Sequence, residues 1–211
     1  MTTLIHLANK PKPPQRPSSF ISIVAHLSRL KENSATLTEV YNLIDSLTQF
    51  IRSDDINIKT HSIHSLLNIS SDLACREPLA RSSNLLLALC MCCSNLNEES
   101  QIRLSAIQTL KNLSMEPSNI VHFASGENCI QTIILVANSG ATGNKDKDLI
   151  QYIACDILTY LSQWIRLLSV IGSENIEECN EVRSIDELFS LETSYPTNKA
   201  RGYERWGAEA S

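Results

Sequence analysis

Three stretches of this chain spell one helix three times. INIKTHSIHSLLNIS (Ile56 to Ser70), ESQIRLSAIQTLKNLS (Glu99 to Ser114) and DLIQYIACDILTYLS (Asp148 to Ser162) place Ile58, Ile102 and Ile150 in equivalent positions. The small residues Ser62, Ala106 and Ala154 follow, then Leu66, Leu110 and Leu158, then Ile69, Leu113 and Leu161, and Ser70, Ser114 and Ser162 close each stretch. The spacing is forty-four residues and then forty-eight. A second element keeps the same offset: SSNLLLALCMCC matches GENCIQTIILVA, with Leu86 on Ile130, Leu89 on Ile133, Cys90 on Ile134 and Met91 on Leu135. Such units are apolar on more than one side, so each is covered only by its neighbours, and the result is a stack with one continuous core. A small residue at Ser62, Ala106 and Ala154 lets the adjacent backbone come close.

The rest of the composition agrees with helices throughout. Glycine is scarce at six residues, aromatics make up 5%, and no Asn-Gly or Asp-Gly hairpin turn occurs. Helical spacing begins at FISIVAHLSRL, where Phe20, Ile21, Val24, Leu27 and Leu30 share a face. It resumes in LTEVYNLIDSLTQFI, with Thr38 as the expected N-cap. Residues 1–17 hold NKPKPPQRP and read as a flexible basic leader, since proline at that density favours an extended chain. The helical repeat domain is expected over 18–172. An acidic segment, with room for one further helix, follows over 173–193, and a mobile tail over 194–211.

The pattern resembles the armadillo family over roughly residues 35–170, about three units. LTQFIRSDDINIKTHSIHSLLNIS has the run of a second helix, an acidic turn at Asp54 and Asp55, and a long third helix. IQTLKNLS followed by NIVHFASGENCIQTIILVA has the Asn-Leu ending, a connecting segment, Gly126 and the next unit's helix. The resemblance implies an all-α, right-handed solenoid of armadillo- or HEAT-like repeats with flexible N- and C-terminal tails. It also implies an extended peptide held in a groove of third helices, as in the importin-alpha and beta-catenin groups, where an asparagine near the helix end pairs with the peptide backbone. The matching positions are Asn68 and Asn112, with Tyr160 in the third unit. One turn earlier stand His64, Gln108 and Asp156 and no tryptophan, so the resemblance does not extend to importin-like capture of a basic signal.

The residues support a binding strip without the analogy. An asparagine amide offers donor and acceptor together. Positions three and four apart share a helix face, which groups His61, His64 and Asn68, then Ser105, Gln108 and Asn112, then Ile153, Asp156 and Tyr160. The expected partner is a protein or extended peptide held by a non-catalytic scaffold. The other reading open here is a structural piece packed laterally or end to end into a larger complex, such as a chromatin-associated or trafficking assembly.

Other chemistries lack their residues. From Glu174 onward nine acids face four bases, and the chain before it carries fourteen of each, so direct nucleic-acid binding is not expected. Cys90, Cys92 and Cys93 lie in consecutive helical positions with no completing ligands, which argues against zinc. His61 and His64 lack a third ligand. No phosphate loop, nucleophile elbow or carboxylate pair occurs, so neither catalysis nor a cofactor is expected. The odd set of seven cysteines suits a reducing compartment, cytosol or nucleus. No membrane association is expected, because the longest apolar run, Leu85 to Cys93, is about half a span.

Overall fold

A computed structural model describes residues 17–126, 128–139 and 143–171. The Pro-rich leader up to residue 16, the acidic segment 173–193 and the tail 194–211 lie outside the described residues. Among the described residues there is no strand, and ten α-helices account for most of the chain. They are α1 (Pro17–Ser28), α2 (Ser34–Glu39), α3 (Leu43–Phe50), α4 (Ile56–Ser70), α5 (Leu73–Ala80), α6 (Ser83–Ser94), α7 (Ser100–Ser114), α8 (Ile120–Ser125), α9 (Cys129–Ala137) and α10 (Lys145–Ile171). Short 3-10 turns, Lys31–Asn33 and Pro117–Asn119, lead into α2 and α8.

The helices sort into three rows. The long helices α1, α4, α7 and α10 pack side by side in that order, as α3, α6 and α9 do behind them. The short helices α2, α5 and α8 turn the corners between the rows, so α2–α3–α4, α5–α6–α7 and α8–α9–α10 are three successive units. The three look-alike stretches therefore lie in register as neighbours, the arrangement of an all-α solenoid. Ser62, Ala106 and Ala154 are each fully buried, as are Leu66 and Leu110. Burying one such leucine stabilises the stack by about 1.5–3 kcal/mol.

The corners repeat their chemistry as well as their shape. Asn33, Arg76 and Asn119 each reach back six residues to a carbonyl in the last turn of a long helix: Asn33 Nδ2 to Leu27 O at 2.9 Å, Arg76 Nε to Ser70 O at 3.2 Å, Asn119 Nδ2 to Leu113 O at 2.9 Å. The last carbonyls of a helix have no partner within it. A side chain with an N–H donor, carried back by the chain reversal, supplies one. Asn119 Nδ2 also meets Arg76 O at 3.2 Å, which ties one corner to the next. The second helices of the first and third units start alike, from Asn42 and Asn128 in the left-handed region (φ 56° and 57°), a conformation asparagine tolerates better than most side chains.

Three expectations need correction. LTEVYNLIDSLTQFI is not one helix capped by Thr38: Thr38 sits inside α2 with its hydroxyl on Ser34 O at 2.8 Å. The extended Val40 and left-handed Asn42 break the run into α2 and α3. Leu30 is exposed rather than on the α1 core face, because it lies past the helix at the start of the 3-10 turn. The segment after Ser114 is not a plain connection, since IVHFAS forms the short helix α8. Asp55 does act at its acidic turn, its carboxylate accepting from Asn57 N at 2.9 Å and Ile58 N at 3.3 Å to cap α4.

Candidate functional site

The long-helix row forms a ridge with a ladder of side-chain bonds along one end. Ser28, Ser70, Ser114 and Ser162 each donate a hydroxyl to the carbonyl three residues earlier, at 2.8–3.0 Å. Asn68 Nδ2 then donates to Ser28 Oγ at 3.1 Å, and Asn112 Nδ2 to Ser70 Oγ at 3.0 Å. At the next seam Tyr160 replaces asparagine, and Trp164, one turn on, donates its Nε1 to Ser114 O at 3.1 Å. The asparagines thus hold neighbouring units together. An asparagine amide carries two N–H protons and an accepting oxygen, and these bonds use one proton each of Asn68 and Asn112, both half-buried.

Around Asn68 the ridge is hollowed. Ala25 of α1 and Arg29 just past its end, with His61, His64, Leu67 and Asn68 of α4, line an open depression of roughly 170 Å³. Three sequence-predicted residues meet there. Arg29 joins them unannounced by sequence reasoning, because FISIVAHLSRL did not register as a repeat copy. A signal existed: His26-Leu27-Ser28 closes α1 as Asn68-Ile69-Ser70, Asn112-Leu113-Ser114 and Tyr160-Leu161-Ser162 close the others. Partial burial of the His64 ring, then His61 and the Arg29 guanidinium, hold its imidazole below the usual pKa.

The remaining predicted residues are placed differently. Gln108 and Asn112 continue the strip on α7, half-buried. Ser105 is only 5% exposed and lies beneath that surface, because α7 is more deeply enclosed by its neighbours than α4 at the position His61 occupies. Asp156 is engaged across the α7–α10 seam, taking Lys111 Nζ at 2.6 Å. Burial works against the Lys111 charge, but the hydrogen bond and charge of Asp156, with the nearby Tyr160, outweigh it and raise the ammonium pKa. A second cross-unit pair joins Lys59 Nζ to Glu98 Oε2 at 2.6 Å.

Five of the described cysteines belong to the core. Cys75, Cys90, Cys92, Cys93 and Cys129 are buried, and Cys90 Sγ lies 3.0 Å from Cys129 Sγ between α6 and α9. Burial pushes the Cys92 and Cys93 thiols up to about 12, so they stay protonated at neutral pH. Among the described residues no group of three or more His, Cys, Asp or Glu side chains is placed to hold a metal ion. No single described helix is long and apolar enough to cross a membrane.

No protein-family model matches the sequence, and no curated protein does. Solved structures match the fold. A designed armadillo repeat protein, solved in complex with the peptide (KR)4, superposes with a TM-score of 0.58 at 12% identity, over 96% of this chain and 93% of that one. An engineered protein solved by a structural genomics consortium gives 0.58 at 12% identity, over 85% of this chain and 75% of that one. A second engineered protein gives 0.59 at 14% identity over 89% of this chain and 47% of its own length. At these identities the likeness establishes an armadillo-like repeat fold.

Proposed function

We propose that the protein is a non-catalytic interaction scaffold that holds a segment of a partner protein along the α1–α4–α7–α10 ridge. The observation that carries this reading is the depression at the α1–α4 seam. There, side chains from two neighbouring ridge helices and the turn after the first converge on one open surface, and Asn68 keeps hydrogen-bonding capacity beyond its bond to Ser28. Gln108 and Asn112 extend the same strip to the next unit. The designed armadillo neighbour holds a peptide, which supports the general use of such a stack. The cytosol or nucleus suits a chain whose buried thiols serve as core.

A second reading draws on the other row. Met91 of α6 and Leu135 of α9, equivalent by the forty-four-residue offset, are 57% and 70% exposed. Adjacent apolar side chains repeated on one surface suit lateral packing into a larger assembly. Photo-crosslinking separates the two. A crosslinking residue replaces either His64 and Gln108 or Met91 and Leu135, and peptides selected from a random library against the whole chain are then irradiated. Crosslinks from His64 and Gln108 support the ridge. Crosslinks confined to Met91 and Leu135 replace it with the assembly surface.

A further inference from the structure

Three of the four ridge helices contain no acidic residue. The sequences of α1, α4 and α7 hold neither aspartate nor glutamate, and acids enter the row only on α10 as Asp146, Asp148 and Asp156. The same region carries His26, Arg29, Lys59, His61, His64, Arg103 and Lys111. Four of these are already engaged, His26 through its Nδ1 on Ser22 O at 2.7 Å. Lys59 is paired with Glu98 and Lys111 with Asp156, while Arg103 is buried with its Nε on Cys93 O at 3.0 Å. The other three, Arg29, His61 and His64, are gathered on the open depression beside Asn68. After burial, the neighbours that disfavour a proton on His64 are basic ones, His61 and Arg29.

Taking the ridge reading as its premise, we infer that the segment held there is acidic, with a carboxylate side chain seated among Arg29, His61, His64 and the Asn68 amide. The geometry suits that group in particular. A guanidinium presents paired donors to a carboxylate, and imidazole and amide N–H groups fill the remaining lone pairs. A basic peptide such as (KR)4 meets like charge at the same place. The chain as a whole is acidic at a net charge of -5. General electrostatics therefore oppose an acidic ligand, and capture of one must come from this local cluster.

The test is fluorescence anisotropy of labelled (DE)4 and (KR)4 peptides with the full chain at low ionic strength. The wild type is expected to bind (DE)4 more tightly than (KR)4. Arg29→Glu combined with His64→Glu should weaken (DE)4 binding by about tenfold or more, whereas Arg52→Glu, at the corner between α3 and α4, should change it less than about twofold. Arg29 and His64 are exposed, so the thermal unfolding of the double variant should match the wild type. Tighter binding of (KR)4, binding of neither peptide, or undiminished (DE)4 binding by the double variant overturns the inference. A large gain in (DE)4 affinity on changing Glu177, Glu178 and Glu181 to glutamine would make the chain's own acidic segment the occupant, and overturns a partner segment. Failure of the ridge itself shows separately, in the crosslinking experiment. Ridge crosslinks to basic or neutral selected peptides would keep the scaffold and discard the acidic specificity.

Discussion

The two ends of the ridge are built on one plan and finished differently. At the α1–α4 seam, Asn68 bonds to Ser28, and the basic side chains beside it, Arg29, His61 and His64, surround an open depression. At the α7–α10 seam the asparagine is gone, Trp164 donates to Ser114 O instead, and the cation Lys111 is closed by Asp156. The same stacking that produces a surface at one seam fills it at the other. Stacking therefore sets where a site can form, and the residues at two or three ladder positions set whether it stays open.

The comparison breaks first on stability. Ile157 of α10 is fully buried, whereas Leu67 of α4 sits half-buried on the rim of the depression. Ile157→Ala is expected to cost about 2–5 kcal/mol, and Leu67→Ala less than about 1.5 kcal/mol. Denaturant unfolding measures both, and equal costs would show the two seams to be equally closed.

A smaller effect is expected from pH. His64 is held below its usual pKa by burial and by His61 and Arg29. A seated carboxylate raises that pKa, so binding takes up a proton. Affinity for (DE)4 should then climb as pH falls through the imidazole range; the gain is complete below the free-state pKa and lost above the bound-state pKa. The opposing helix α7 adds no competing acid, and its cations Arg103 and Lys111 are engaged already. A gain of about five- to tenfold between about pH 7.5 and 5.5 is expected. His64→Gln should flatten it, and a profile that instead falls with acidification sinks the assignment of His64.

The smallest expected effect sharpens the contrast. Asp156→Asn releases Lys111 and should open the closed seam to acidic peptide, raising (DE)4 affinity about two- to threefold. The Lys111–Asp156 pair is partly exposed, so stability should change by less than about 1 kcal/mol. Unchanged peptide affinity in Asp156→Asn would mean that the α7–α10 seam is shut by shape rather than by charge.

How much was legible beforehand follows from what repeats in the chain. Ile58, Ile102 and Ile150, with the small residues after them, announced the stack, because burial between identical neighbours demands the same residue types each time. The corner residues were harder to find. Asn33, Arg76 and Asn119 do one job with two chemistries, and no composition rule equates arginine with asparagine. α5 carries Pro78 and is only eight residues long, too short to impose a period. Arg29 and Trp164 escaped for a related reason: each lies just beyond the repeated stretch, where the pattern no longer constrains the residue.

The amino-acid order by itself determined the helical class, the number of stacked units and the polar strip of His61, His64, Asn68, Gln108 and Asn112, since all of these rest on contacts between residues at fixed spacing. Only the tertiary structure decided that α1 is the first rung of the ridge, that Ser105 is covered, that Lys111 and Asp156 neutralise each other, and that Arg29 brings a guanidinium to the histidine-lined hollow. Those depend on which side chains meet across a seam between residues about forty apart in the chain, and that meeting is set by the close approach of packed helices.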